Sequence, residues 1–188
     1  MKRTDNKTLI LAAVMFVVIL LLTWLLRIDI HYQEALAGYW TLGDVGIYVA
    51  VALLGGPWAA LAAGLGSALA DIFAGQAVYA PASLVIKAIM VFVFAAYVKR
   101  GHSFLHLVKS VCYSGGVMVL GYFLYDLIIR GNYALAAIGL PFNLLQLIAS
   151  GIIAIPVLFL MGGKTYRQGD GFSIRKDDFP TTPKRQLK

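Results

Sequence analysis

GGPWAALAAGLGSALADIFAG, residues 55–75, is apolar enough for lipid yet built mostly from Ala, Gly and Ser. On a helix, Ala60, Gly64 and Ala68 fall on one stripe and Ala62, Gly66 and Ala70 on the next. Small residues at four-residue spacing let backbones approach closely. That is how helices associate in a bilayer, where the hydrophobic effect supplies no drive between them. The stretch therefore predicts a central membrane helix packed against several neighbours. Near its end stands Asp71, a carboxylate that lipid alone does not tolerate.

The rest of the composition agrees. Of 188 residues, 60% are hydrophobic and 13% charged, and the mean hydropathy is +0.80. A soluble domain carries roughly 25% charged residues, so the expectation is an all-α integral membrane protein. The single cysteine, Cys112, lies in an apolar run, which excludes a disulfide framework. The pI near 9.6 points to basic cytoplasmic ends rather than to nucleic acid.

Working outward from residues 55–75, six apolar segments are expected at 8–26, 40–54, 57–75, 83–98, 107–129 and 140–161. Nineteen residues at the first of these span roughly 28 Å, enough for a bilayer core. Ala35-Leu36-Ala37 resembles a signal-peptide cleavage site, but the apolar run before it is too long and four charged or titratable residues intervene. Pro57 suits the first turn of the third segment, and residues 27–39 read as a polar, aromatic loop. Residues 1–163 thus form a six-helix transmembrane domain, and 164–188 a polar cytoplasmic tail without fixed structure. Thirteen Lys and Arg fall on the side of the two termini and two, Arg27 and Arg130, on the other, so both termini are expected in the cytoplasm.

With that topology, Asp44, Asp71, Lys87, Asp126, Asn143 and Gln146 all lie toward the outer leaflet, and the inner halves are nearly bare of strong polar groups. Lys87 is expected about 6 Å below the outer end of its helix. Trp40, Tyr48, Tyr79, Tyr122 and Tyr125 ring the same level. Charged groups inside a membrane segment usually face the bundle interior and mark a function. Here they suggest a pocket for a flat heterocycle, stacked on rings and hydrogen-bonded at its rim. Other readings remain: the rings as an interfacial belt, Asp71 and Lys87 as a neutralising pair, Asp44 as a helix-end charge. Asp126, Asn143 and Gln146 are the favoured ligand contacts. No GK[ST] phosphate loop, HExxH pair or GxSxG elbow is present, so neither catalysis, a metal nor a cofactor is expected.

Asp44-Val45-Gly46-Ile47-Tyr48, Leu54-Gly55-Gly56-Pro57, GLGSALAD at 64–71 and VYAPASLVIK at 78–87 resemble the substrate-binding S components of energy-coupling factor (ECF) transporters. The resemblance is densest over segments two to four. It implies a six-helix subunit that captures a vitamin from outside, docks on a transmembrane scaffold subunit carrying two cytoplasmic ATPases, and topples in the membrane to deliver its load. The block from Gly43 to Tyr48 looks most like the branch assigned to hydroxymethylpyrimidine or vitamin B6 compounds. Pantothenate is an alternative, with Lys87 holding its carboxylate, and a stand-alone secondary carrier is another. Family members often dock through an Ala-xxx-Ala surface on the first helix. Thr8, Ala12 and Ala13 are the counterparts here, although Phe16 departs from the pattern.

Overall fold

In a computed structural model, residues 6–32, 35–98 and 104–161 are described. They form α1 (Asn6–Trp24), a hairpin of β1 (Arg27–Tyr32) and β2 (Ala35–Thr41), α2 (Gly43–Leu54), α3 (Gly56–Phe73), α4 (Ala80–Val98), α5 (Phe104–Arg130), the short α6 (Tyr133–Ala137) and α7 (Leu140–Met161). Among the described residues, four segments are long and apolar enough to cross a membrane: α1, 77–98, α5 and 133–161; α2 is a shorter apolar helix. The expected tail, 164–188, lies outside the described residues.

The small-residue stretch is the packing centre of the bundle. α3 shares its largest contacts with α1 and α4. A methyl group on Gly64 would come within 2.8 Å of the Leu84 carbonyl oxygen, and one on Gly66 within 3.0 Å of that of Phe16. Only glycine admits backbones that close. At the tight α2–α3 turn, Gly55 has φ +75°, a conformation open to glycine without strain. Pro57 sits in the first turn of α3, as expected. Leucines and isoleucines such as Leu61, Leu65, Ile148 and Ile152 are exposed on the outside, while Asp44, Asp71, Ser83, Lys87, Asp126 and Gln146 are buried inside. That inversion of the usual soluble pattern suits a bundle whose solvent is lipid.

Three differences from expectation bear on the site. The loop expected at 27–39 is instead an antiparallel hairpin, in which Arg27 pairs with Thr41, Ile28 with Trp40 and Asp29 with Tyr39. The alternation Arg27-Ile28-Asp29-Ile30 is a period-two strand pattern, with Arg27 and Asp29 on one face. α2 begins at Gly43 rather than at 40, because Trp40 and Thr41 belong to β2; the Thr41 hydroxyl then accepts from the Gly43 amide at 3.3 Å. α4 begins at Ala80, with Pro81 in its first turn, three residues earlier than expected. Lys87 therefore sits roughly 10 Å into its helix rather than 6 Å.

Candidate functional site

The hairpin closes one end of the bundle, and the buried polar side chains gather beneath it in three connected groups. In the first, strand alternation aims Arg27, Asp29, Tyr39 and Thr41 at the helices. Arg27 Nη1 donates to Asp71 Oδ1 at 2.9 Å and Arg27 Nε to Asp29 Oδ1 at 2.6 Å. Its guanidinium lies over the Tyr39 ring, 3.8 Å from the centroid, where the negative face of the ring attracts it. The Tyr39 hydroxyl reaches Tyr122 Oη at 3.3 Å, with Asp71 Oδ2 at 3.5 Å. Ser83 Oγ donates to Asp71 and lies 2.7 Å from Tyr122 Oη. Asp71 is completely buried, so these partners replace all of its water.

The second group lies deeper. Asp44 Oδ1 accepts from Lys87 Nζ at 2.5 Å, and Asp44 Oδ2 from Gln146 Nε2 at 2.8 Å. Gln146 Oε1 accepts from the Thr41 amide at 3.1 Å, which ties β2 to the set. The free directions of Lys87 Nζ and Gln146 Nε2 point at one atom, Met118 Sδ, at 3.3 and 3.2 Å. In the third group Tyr79 Oη donates to Asp126 Oδ1 at 2.6 Å. Arg130 donates to the same carboxylate oxygen at 3.1 Å and to Tyr79 Oη at 3.0 Å. The Tyr39 ring joins the groups by edge contacts with Tyr79 and Tyr122, both at 6.2 Å.

Burial pushes the Tyr39 phenol well above its usual range, reinforced by Tyr122 and the nearby Asp71 charge. For Arg27, burial opposes the charge, but the hydrogen bond to Asp29 and the negative charges of Asp29 and Asp71 outweigh it, and its pKa rises. The hairpin thus presents a fixed cation and a neutral phenol. Two buried donors in the hairpin, Arg27 Nη2 and Trp40 Nε1, have no hydrogen-bond partner among the described residues.

Of the residues singled out in the sequence, Asp44, Lys87 and Gln146 meet in one group, Tyr79 and Asp126 in another, and Tyr122 stands with Asp71 in the first, its ring 5.5 Å from Lys87 Nζ. Trp40 does not join them, because it projects from the face of β2 opposite Tyr39 and Thr41. Asn143 is half-buried and its side-chain amide makes no hydrogen bond among the described residues. Tyr48 lies in the core against Phe94, with ring centroids 4.8 Å apart, rather than in the aromatic ring of the site. The pairing of Asp71 with Lys87 is not what forms: Asp71 belongs to Arg27 and Lys87 to Asp44. On α1, Ala12 is buried in the bundle, Thr8 is half-buried and Ala13 is exposed.

Arg27, Tyr39, Ser83 and Met118 were not singled out. Spacing offered a signal for three of them. Ser83 is one turn from Lys87, Met118 one turn from Tyr122, and Arg27 heads the alternating strand.

Residues 3–163 match the family model described as ECF-type riboflavin transporter, S component. The chain belongs to that family of S components. A solved structure described as "Structure and mechanism of the S component of a bacterial ECF transporter" superposes with a TM-score of 0.71 at 19% identity. That likeness covers 87% of this chain and 100% of the other, and it shows a shared fold. No curated protein sequence matches the chain. ECF S components are substrate-binding subunits that work with a scaffold subunit and ATPases on a small-molecule vitamin. The family is one of transporters rather than enzymes.

Proposed function

We propose that this S component captures a flat heterocyclic vitamin or precursor, hydroxymethylpyrimidine or pyridoxine-like, between the hairpin and the helices beneath it. The carrying observation is the convergence of Arg27, Asp71, Asp44, Lys87, Gln146, Asp126 and three tyrosines at one end of an otherwise apolar bundle. A neutral or weakly basic ring finds aromatic faces there from Tyr39, Tyr79 and Tyr122, and both donors and acceptors at its rim. Riboflavin is the second reading, favoured by the description of the matching family. Pantothenate is less well served, since the Lys87 ammonium that would hold its carboxylate is already paired with Asp44.

In this reading the chain makes six crossings with both termini cytoplasmic, which the distribution of Lys and Arg supports. The hairpin end then faces outside, and residues 1–163 are the binding domain. The hairpin lifts to admit the ligand and closes over it. The subunit docks on an ECF scaffold subunit with two ATPases in the bacterial cell membrane. On α1, of Thr8, Ala12 and Ala13, the exposed Ala13 is the one a partner reaches. A stand-alone carrier is disfavoured by membership of the S-component family.

The test is mass spectrometry of small molecules released from the purified chain, followed by calorimetric titration. A tightly retained pyrimidine, pyridine or flavin is the expected result. Uptake by the chain alone in vesicles, without ATPase subunits, would count against the reading.

A further inference from the structure

Met118 is fully buried, and its sulfur is the one atom on which Lys87 Nζ and Gln146 Nε2 both converge, at 3.3 and 3.2 Å. Every other strong contact in this group is spoken for. Asp44 uses both oxygens, and Gln146 Oε1 is held by the Thr41 amide. A thioether is a weak acceptor, whereas an ammonium and an amide N–H in a low-dielectric interior gain most from a strong one. Leucine would fill the same volume, so what methionine adds here is its lone pairs. It also has three rotatable bonds and can swing aside without backbone movement.

We infer that Met118 Sδ is a stand-in acceptor, holding Lys87 Nζ and Gln146 Nε2 until a single neutral acceptor atom of the ligand, a ring nitrogen or carbonyl oxygen, replaces it. The inference rests on the reading above, that the ligand enters beneath the hairpin. It also narrows the chemistry of the ligand. Both donors are hydrogen-bonded to the Asp44 carboxylate, so an anionic group at that spot meets a like charge at close range. A neutral acceptor on the rim of a heterocycle gains the two donors without that repulsion.

The order of affinities decides the matter. The full chain in detergent micelles is compared with Met118→Leu, which removes the acceptor at constant volume, and Met118→Gln, which offers a stronger one. Hydroxymethylpyrimidine, pyridoxine and riboflavin serve as probes. For whichever probe the unaltered chain binds, Met118→Leu is expected to bind roughly threefold tighter or more, since the ligand no longer displaces a competitor. Met118→Gln is expected to bind weaker by a similar factor. In the absence of ligand, Met118→Leu is expected to melt lower than the unaltered chain and Met118→Gln no lower. Affinity that falls in Met118→Leu and recovers in Met118→Gln makes Met118 a positioning residue and overturns the inference, as does equal affinity in all three. Failure of the unaltered chain to bind any of the three vitamins sinks the functional reading instead. The ligand-free melting order then still judges Met118: equal melting of Met118→Leu and the unaltered chain shows that the sulfur accepts nothing of consequence.

Discussion

Lys87 Nζ lies 2.5 Å from Asp44 Oδ1, in the interior of the bundle and a layer below the Asp71 carboxylate that Arg27 holds. The start of α4 at Ala80 decides this pairing. Lys87 is carried nearly two turns into the helix, level with the beginning of α2 rather than with the end of α3. Asp44 and Lys87 come from elements 43 residues apart and are both almost fully buried, so each is the other's replacement for water.

Truncating one partner therefore strands the other. Lys87→Met or Asp44→Leu alone is expected to cost about 3–5 kcal/mol, whereas the double variant should cost clearly less than the sum. Thermal melts of the ligand-free protein in micelles measure both. Simple additivity would show that the pair is incidental.

Arg27 is one of three ties between the hairpin and the helices, beside the Tyr39 hydroxyl and the Thr41 amide. Arg27→Ala removes the ion pair to Asp71 and the stacking on Tyr39, and leaves Asp71 with only hydroxyl donors. Hydrogen bonds to charged groups are worth about 1.5–3 kcal/mol each. Amide exchange across 27–41 should therefore accelerate by at least tenfold, with the α5 amides unaffected. Arg27→Lys should fall between, because an ammonium cannot fork to both Asp29 and Asp71 as a guanidinium does. Unchanged exchange in Arg27→Ala would place the closure of the hairpin elsewhere.

Much of this fold could be read from residue types because lipid imposes a simple code. Long apolar runs, small-residue stripes and the depth of Asp71, Asp126 and Gln146 follow from what a bilayer refuses to accept. Partner choice was less legible. Asp71 and Lys87 are both near the same helical connection, and only the extra turn that Pro81 opens in α4 separates their levels. Arg27 and Asp29 were visible as charges, but their role depends on a strand register that places them over Asp71. Met118 carries no charge or motif beyond its place one turn from Tyr122, and the two donors from α4 and α7 that converge on it are set by tertiary packing. Trp40 shows the converse. Its residue type fitted a binding ring, and its position one residue from Tyr39 on a strand turned it to the other face.

The raised pKa of Tyr39 sets an alkaline limit. The folded state keeps this phenol protonated while the unfolded chain releases its proton near pH 10. The folded state then binds more protons, so this contribution to stability is full below about pH 10 and is lost as pH rises toward the folded pKa. Arg27, also raised, shifts in the same sense and leaves the neutral range flat. Melting between pH 7 and 11.5 should fall less steeply above pH 10 in Tyr39→Phe than in the unaltered chain. Parallel curves would mean that Tyr39 does not contribute to the alkaline transition.

Asn143 and Gln146 share a face of α7 yet should behave differently. Gln146 is part of the ligand-free network through Thr41, Asp44 and Met118, whereas the half-buried Asn143 side-chain amide has no such bond among the described residues. Gln146→Ala should lower both the ligand-free melting temperature and affinity for the retained vitamin. Asn143→Ala should leave the first unchanged and weaken only the second, by about 1–3 kcal/mol. Equal affinity in Asn143→Ala and the unaltered chain removes Asn143 from the site.

The glycines of the bundle separate packing from conformational effects. Gly64 meets the Leu84 carbonyl, a backbone atom fixed by the hydrogen bonds of α4, so an added methyl forces the two helices apart. Gly64→Ala is expected to cost about 1–3 kcal/mol, the range for overpacking a tight interior. Gly116, in the middle of α5, has nothing within 4 Å of an added Cβ. There alanine should gain up to about 1 kcal/mol, because it lowers the chain entropy of the unfolded state and favours helix. The two substitutions add the same methyl to the same kind of helix, so opposite signs in micelle melts isolate the approach of α3 to α4. If both stabilise, the short distance at Gly64 is not holding the bundle in register, and the small-residue stripe is a consequence of helix packing rather than its cause.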